Sequence, residues 1–468
     1  MITDLLILMR SEMMLVLIIF LLLFLKLGSA NLKNETVMNM VNLVLVATLA
    51  VGIFIGDSGM LFGDMFRTNP LLRLEKNILT LGTLIISLQS YSWLKEHKHA
   101  MEFYLLMLST LLGMFFMLSS ANLLMFYLGL ELSTLPLAAM VNFDLHKKQS
   151  SEAAFKMIVS SAFASALLLF GISWLYGSTG TVSFDALAAS LTGSPLHIFS
   201  LVLILAGFGF KISAVPFHLW TADVYEGAPV SVTSYLSVIS KGAVLFVFGS
   251  VLYTVFRSMD QTWYHMIFLI AVATMLVGNL FALRQQNMKR FLAFSSIAQV
   301  GFILVGISGQ STEGSAALIF FVLIYLFSNL AAFGVVSLVS QLRQSENIDD
   351  YKGFHKTNPA LAWILAIALF SLAGIPPTAG FFGKFFLILA GAGKGNWLLI
   401  SIAALNMIIS LYYYLRVIKA MFMDKNESPL EKIQLPLSPK IAFIICLAGI
   451  LITGLYSGAY EYIYSLVA

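Results

Sequence analysis

Charged residues are scarce in this 468-residue chain. They make up 11% of the sequence, whereas soluble domains contain about 25%. Hydrophobic residues make up 59%, and the mean hydropathy is +0.90. Such a chain has too little polar surface to cover a water-soluble globule. The composition therefore excludes a soluble enzyme, a disordered chain and a nucleic-acid-binding protein.

Cysteine is almost absent. The single Cys446 excludes an internal disulfide and a cysteine-rich metal or iron–sulfur site. Long polar segments are missing as well, since the longest ones, 57–73, 342–358 and 424–440, are too short to form a second domain.

Long apolar runs, by contrast, occupy most of the chain. Fourteen of them hold about the 20 residues that a bilayer-spanning helix needs. We place them at roughly 13–30, 37–56, 74–94, 101–118, 120–140, 154–177, 197–217, 229–255, 264–283, 290–308, 314–341, 359–391, 396–422 and 441–464. The runs are continuous rather than alternating, which excludes a β-barrel. The sequence therefore predicts an all-α polytopic membrane protein with about fourteen transmembrane helices.

The distribution of Lys and Arg predicts the orientation of these helices. With fourteen spans, seventeen basic residues fall in loops on one side and six in loops on the side of both termini. Lys76 is counted among those six. The positive-inside rule then places both termini outside the cytoplasm.

A few ionisable side chains lie inside the predicted spans, where a charge costs about 2.5–3.5 kcal/mol on insertion scales. They are Glu131, Lys156, Lys211, Lys241 and Lys384. Glu131 is the one acidic residue that we place well inside a span. Burial favours a neutral lysine and a nearby carboxylate favours a charged one, so a lysine under both influences can gain or lose a proton. We interpret the set as a proton relay; the alternatives are structural ion pairs and, for Lys156, a side chain that reaches the headgroups.

Prolines interrupt the seventh and twelfth spans near two of these lysines. Pro216 follows Lys211 by five residues, and Pro376-Pro377 precedes Lys384 by seven. Broken helices at matching positions of inverted repeats are typical of transport sites. Because the two spans are five helices apart, we predict two inverted five-helix repeats. The predicted division is helices 1–3 (1–100), the first repeat (101–255), the second repeat (264–422), and a loop with helix 14 (423–468).

Polar side chains also follow the first break. His218 lies two residues after Pro216 and is a candidate relay residue, because imidazole titrates near neutral pH. Asp223 and Glu226 come next. They are either a proton-collecting surface or ordinary loop residues, and the sequence leaves both interpretations open.

Several long motifs resemble the antiporter-like subunits of respiratory complex I, which are related to Mrp-type sodium/proton antiporters. The resembling segments are Met125–Phe143, Phe208–Lys241, Ala282–Gly306 and Leu372–Lys384, together with Asn406–Arg416. Lys384 stands where subunit M of that family typically has Glu, and the chain ends after the fourteenth helix without the lateral helix of subunit L. Both points favour the subunit N branch. The resemblance also implies the bacterial form, because the mitochondrial form is usually shorter by N-terminal helices.

This resemblance implies a role for each candidate residue. Glu131 is the carboxylate of the fifth helix and Lys156 its lysine partner on the sixth. Lys211 belongs to the broken seventh helix, Lys241 to the centre of the eighth, and Lys384 is the outlet lysine of the twelfth. His218 bridges Lys211 and Lys241.

The resemblance further implies a proton-translocating subunit of NADH:quinone oxidoreductase without redox chemistry of its own. NADH, FMN, iron–sulfur clusters and quinone are then bound by other subunits, and the neighbours in the bacterial inner membrane are subunits M, K and J. The alternatives are an Mrp-type cation/proton antiporter subunit, a membrane-bound hydrogenase subunit, or a purely structural spacer.

Overall fold

A computed structural model describes residues 2–28, 32–343, 345–426 and 429–468. Most of these residues are helical, and a short antiparallel hairpin, β1 (Gly59–Leu61) and β2 (Phe66–Thr68), pairs Gly59 with Thr68. The helices of the first half are α1 (Ile2–Leu8), α2 (Arg10–Leu27), α3 (Asn34–Phe54), α4 (Pro70–Gln89), α5 (Tyr91–Lys95), α6 (Ala100–Leu118), α7 (Leu123–Val141), α8 (Lys148–Thr179), α9 (Phe184–Ser190), α10 (Pro195–Ile212), α11 (Leu219–Gly227), α12 (Val230–Ser234), a π-helix (Tyr235–Ser240) and α13 (Lys241–Thr254). Those of the second half are α14 (Asp260–Arg284), α15 (Met288–Ser308), α16 (Thr312–Arg343), α17 (Phe354–Thr357), α18 (Pro359–Ala373), α19 (Ala379–Ala392), α20 (Trp397–Phe422), α21 (Leu437–Leu455) and α22 (Gly458–Val467), with 3₁₀ turns at Arg257–Met259 and Ile348–Tyr351.

All fourteen predicted spans coincide with helices. Within the described residues, eleven helical segments are long and apolar enough to cross a membrane. The other three predicted spans correspond to α2 and α4, which each carry three charged residues, and to the two shorter apolar helices α18 and α19. Residues 29 and 30, at the end of the first predicted span, lie outside the described residues. The prediction of an all-α polytopic membrane protein is confirmed.

The chain forms two compact units. Unit 1 comprises Met1–Phe208 and Ile239–Asp260, and unit 2 comprises Gly209–Val238 and Gln261–Ala468. The chain passes from one unit to the other within α10, within the π-helix and at the start of α14. The second half of the broken seventh helix, α11, therefore belongs to unit 2, although the segments before and after it in the sequence belong to unit 1. The four-part division predicted from the sequence stays a prediction.

Both units contain a pair of helices that approach closely at glycine residues. In unit 1, a Cβ at Gly113 or Gly129 would lie 2.4 or 2.5 Å from a backbone nitrogen of the facing helix, so α6 and α7 require glycine at both positions. In unit 2, a Cβ at Gly278 or Gly301 would lie 2.5 or 2.8 Å from a backbone nitrogen across the α14–α15 contact. Each unit also contains a helix of 32 residues, α8 and α16. These likenesses support the proposal of two five-helix repeats.

Candidate functional site

The first break separates α10 from α11. Ser213 adopts a left-handed conformation, with φ of 62°, and the peptide bond before Pro216 is cis. The carbonyl of Phe210 accepts two hydrogen bonds at the end of α10, one from the backbone nitrogen of Ser213 and one from the indole nitrogen of Trp220, both at 3.1 Å. Lys211 lies in the last turn of α10, where the partial negative charge of a helix C-terminus stabilises a cation.

His218 is the N-terminal capping residue of α11 and is half-buried. Its Nδ1 is buried, and no described residue forms a hydrogen bond with it. Buried polar atoms are nearly always satisfied by a protein partner or an ordered water. The unpaired nitrogen therefore marks a place where a water molecule can hydrogen-bond to the imidazole ring.

The second break separates α18 from α19. Gly374, in the left-handed region at φ 86°, ends α18. Lys384 is 1% exposed, and its Nζ donates to the carbonyl oxygens of Leu372 at 2.8 Å and Ala373 at 3.2 Å. The ammonium also lies 4.8 Å from the centre of the Phe302 ring. Among the described residues, Lys384 is therefore held by helix-terminal carbonyls and an aromatic ring rather than by a carboxylate.

Buried hydrogen bonds continue from this break inside unit 2. Gln299 donates from Nε2 to the same Leu372 carbonyl at 2.9 Å and to the Tyr414 hydroxyl at 3.1 Å. The Tyr414 hydroxyl in turn forms a hydrogen bond with Ser295. Lys384 thus lies at one end of a series of polar side chains that can rotate between donor and acceptor roles.

A second buried group of polar side chains surrounds the π-helix. Asn329 donates from Nδ2 to the Ser237 and Tyr325 hydroxyls, both at 2.7 Å. The Ser237 and Tyr325 hydroxyls are 3.1 Å apart, and Tyr325 also hydrogen-bonds to Ser296, which follows Ser295 in α15. Ser237 lies in the π-helix, four residues before the buried Lys241. π-Helical turns occur often at functional sites, and nothing in the apolar pattern of this span predicted one.

Glu131 and Lys156 are both in unit 1. Glu131 lies midway along α7, and its Oε1 accepts a hydrogen bond from the Ser165 hydroxyl at 2.5 Å. Lys156 forms an ion pair with Glu152 on its own helix, at 2.8 Å. Ser165 follows Lys156 by nine residues, a distance of about 13 Å along α8. The direct pairing of Glu131 with Lys156 stays a prediction.

Asp223 and Glu226 belong to α11 rather than to a loop. Three residues apart, they face the same side of the helix. Arg290 Nη1 lies 2.8 Å from Asp223 Oδ1 and 2.7 Å from Glu226 Oε2. The neighbouring Lys289 donates to the carbonyl of Ala228, at the end of α11, at 3.1 Å. Neither interpretation left open by the sequence described this arrangement, in which α15 fastens the C-terminal end of α11 by ion pairs.

One prediction about charged residues was wrong. Lys76 is not a loop residue: it is buried in α4 and forms an ion pair with Glu12 of α2 at 2.5 Å. Glu12 and Glu75 are buried as well, although both lie near helix ends rather than well inside a span. The physical cause of the error is that the hairpin and α6, which cover these residues, could not be placed from local sequence.

The described residues place Lys211 and the buried Lys384 beside breaks in transmembrane helices, and they contain no group of three or more His, Cys, Asp or Glu side chains that could hold a metal ion. Such a fold and site define an antiporter-like membrane subunit, a class in which charge moves through buried polar groups.

Comparison with known proteins specifies the family. Residues 120–410 match the family described as "NADH:quinone oxidoreductase/Mrp antiporter, TM". The chain is 47% identical over 406 residues to NADH-quinone oxidoreductase subunit N of Phocaeicola vulgatus, with 86% of each chain covered. It is 48% identical over 410 residues to the subunit N of Azobacteroides pseudotrichonymphae, with 86% of this chain and 85% of the relative covered.

A solved structure agrees with these relatives. The chain is similar to one in respiratory complex I from Thermus thermophilus with bound aureothin, with a TM-score of 0.82, 28% identity, and 96% and 97% of the two chains covered. The chain belongs to the NADH-quinone oxidoreductase subunit N family. The resemblance inferred from the motifs is confirmed, and the Mrp and hydrogenase alternatives are not favoured.

Proposed function

We propose that this membrane subunit of NADH:quinone oxidoreductase carries protons across the membrane through ionisable residues in and next to its membrane-spanning helices. The relay comprises Glu131, Lys156, Lys211, His218, Lys241 and Lys384. The observation that carries the proposal is the environment of Lys384, a buried ammonium held by two carbonyl oxygens at a helix break.

A carbonyl environment suits a lysine that exchanges its proton. A carboxylate at Nζ would hold the ammonium form by direct charge attraction, and removing the proton would leave a buried, unpaired anion. The carbonyls of Leu372 and Ala373 stay neutral throughout, and a neutral amine can still donate to both. Lys384 can therefore pass a proton on without leaving an uncompensated charge behind.

In the proposed relay, the charges act in sequence. Movement of the Glu131–Lys156 pair changes the proton affinity of Lys211, and the proton then moves through water and His218 to Lys241 and Lys384. The unpaired Nδ1 of His218 supports this order, because it offers a hydrogen-bonding position to water beside the first break.

The redox chemistry takes place elsewhere in the proposed complex. NADH, FMN, iron–sulfur clusters and quinone are bound by other subunits, and this chain contacts subunits M, K and J. The complex lies in a bacterial inner membrane, and both termini of this chain are periplasmic. The two five-helix repeats have opposite orientations in the membrane.

Two charge-removing variants test the relay in the intact complex. Lys211→Met and Glu131→Gln keep the approximate side-chain volume, so the subunit should assemble. We expect proton pumping in proteoliposomes to fall sharply while NADH oxidation remains detectable. Lys98→Met, at an exposed loop position, is the matched control. Unchanged pumping in both test variants would instead favour a structural spacer.

A further inference from the structure

Unit 1 contains a second set of buried charges, apart from the relay residues. Glu12 of α2 is 1% exposed and Lys76 of α4 is 3% exposed, and Glu12 Oε1 lies 2.5 Å from Lys76 Nζ. The other carboxylate oxygen of Glu12, Oε2, is buried, and no described residue forms a hydrogen bond with it. The ion pair thus leaves one anionic oxygen unsatisfied.

A second carboxylate lies next to this pair. Glu75 precedes Lys76 in α4 and is 5% exposed. No hydrogen bond or ion pair within the described residues involves its carboxylate. Two buried carboxylates therefore share one buried ammonium, and only one of them pairs with it in this structure.

The surroundings offer little to stabilise a second anion. The Phe66 and Phe115 rings lie 5.2 and 5.7 Å from Lys76 Nζ. Arg67 of the hairpin is the further cation that interacts electrostatically with Glu75, and it also interacts with Asp185. The Nη2 of Arg67 lies 3.4 Å from the hydroxyl of Ser250.

Two further arginines of unit 1, Arg10 and Arg73, both bind Asp57. Arg10 forms an ion pair with Asp57 at 2.9 Å, and Arg73 donates to the Asp57 carbonyl at 2.7 Å. Asp57 is about half exposed. Both arginines are therefore directed to Asp57 rather than to Glu75.

We infer that Glu12, Lys76 and Glu75 form a proton-binding site separate from the relay. Lys76 pairs with one carboxylate, and the other carboxylate holds a proton, because neutralisation removes the cost of an unpaired buried anion. In the arrangement observed, Glu12 is paired and Glu75 holds the proton. A transfer of Lys76 from Glu12 to Glu75 releases that proton from Glu75 and requires Glu12 to take one up.

Infrared difference spectroscopy of the purified complex tests this site directly. A protonated carboxyl group has a carbonyl stretching band that an ionised one lacks. We expect Glu75→Gln to remove one such band relative to the unmodified complex, and Glu96→Gln, at an exposed position near α5, to leave it in place. An identical band intensity in Glu75→Gln would overturn the inference.

A second variant tests whether the two carboxylates share Lys76. In Glu12→Gln, Lys76 becomes available to Glu75, which should ionise, so the band should disappear although Glu75 is still present. Retention of the band in Glu12→Gln would show that Glu75 is not coupled to the ion pair and would contradict the shared site.

A double variant distinguishes a change in the protonation of Glu75 from a loss of folding. Glu12→Gln combined with Lys76→Met removes both charges of the pair and leaves no uncompensated ion. Glu75 should then stay protonated and the band should remain; its disappearance would refute the assignment to Glu75. Lys211→Met should leave the band unchanged even if pumping stops. The infrared band therefore reports on the site at Glu75, and pumping reports on the relay.

Discussion

Gly380, the second residue of α19, allows the two halves of the twelfth helix to approach closely. A Cβ at this position would lie 1.7 Å from the carbonyl oxygen of Ser371 in α18. To reach 3.0 Å, the shortest separation that real Cβ atoms show, α18 and α19 must move apart by about 1.3 Å. Lys384, one turn further on, reaches across this gap to Leu372 and Ala373.

We therefore expect Gly380→Ala to destabilise the subunit and to stop pumping. Overpacking costs about 1–3 kcal/mol, and loss of the hydrogen bonds of a charged group costs about 1.5–3 kcal/mol more. Thermal unfolding of the purified complex and proton pumping in proteoliposomes measure the two effects.

The control for this substitution is Gly177→Ala. Gly177 is also helical, in α8, but a Cβ there would meet no atom within 4 Å. Helix propensity predicts a stabilisation of up to about 1 kcal/mol at this position. If Gly380→Ala unfolds at the same temperature as Gly177→Ala and pumps normally, the close contact between α18 and α19 does not limit the size of the side chain at position 380.

Three further predictions follow from the same contacts. Lys384→Met should assemble but lose pumping, because methionine cannot bind or release a proton; pumping at the normal rate would exclude the outlet role. Arg290→Gln should lower the unfolding temperature slightly, since partly exposed ion pairs contribute about 0.2–1 kcal/mol each, and should reduce pumping more than Arg290→Lys does; equal pumping in the two variants would argue against fastening of α11 by the guanidinium. Reporter fusions after Ala468 should behave as periplasmic and those near Lys352 as cytoplasmic, and the reverse pattern would contradict the orientation inferred from the basic residues.

The sequence predicted the spans and the helix breaks because both depend on local chemistry. A run of about 20 apolar residues is favourable only inside the bilayer, and Pro216 and Pro377 cannot donate the backbone hydrogen bond that a continuous helix needs. The buried lysines were predictable for the same reason: their cost in the membrane can be judged from the span alone.

The rest of the site depends on residues distant in the sequence. Gln299 meets the carbonyl of Leu372 and the hydroxyl of Tyr414 because α15, α18 and α20 pack together, and each side chain alone is an ordinary polar residue in a long apolar helix. The burial of Glu12 and Lys76 likewise depends on the hairpin and α6. Local patterns indicate how many helices cross the membrane, but they do not indicate which polar groups from different helices meet inside it.

The π-helix at Tyr235–Ser240 gives the eighth helix room for one extra residue. Its hydrogen bonds span five residues instead of four, so one wide turn holds a residue that a regular α-helical turn does not. In a regular α-helix, one extra residue would turn everything after it by about 100°. The wide turn absorbs most of that rotation, so Lys241, which begins α13, keeps nearly the direction that it would have without the extra residue. The direction of this buried charge is thus set by the width of one turn as much as by residue type.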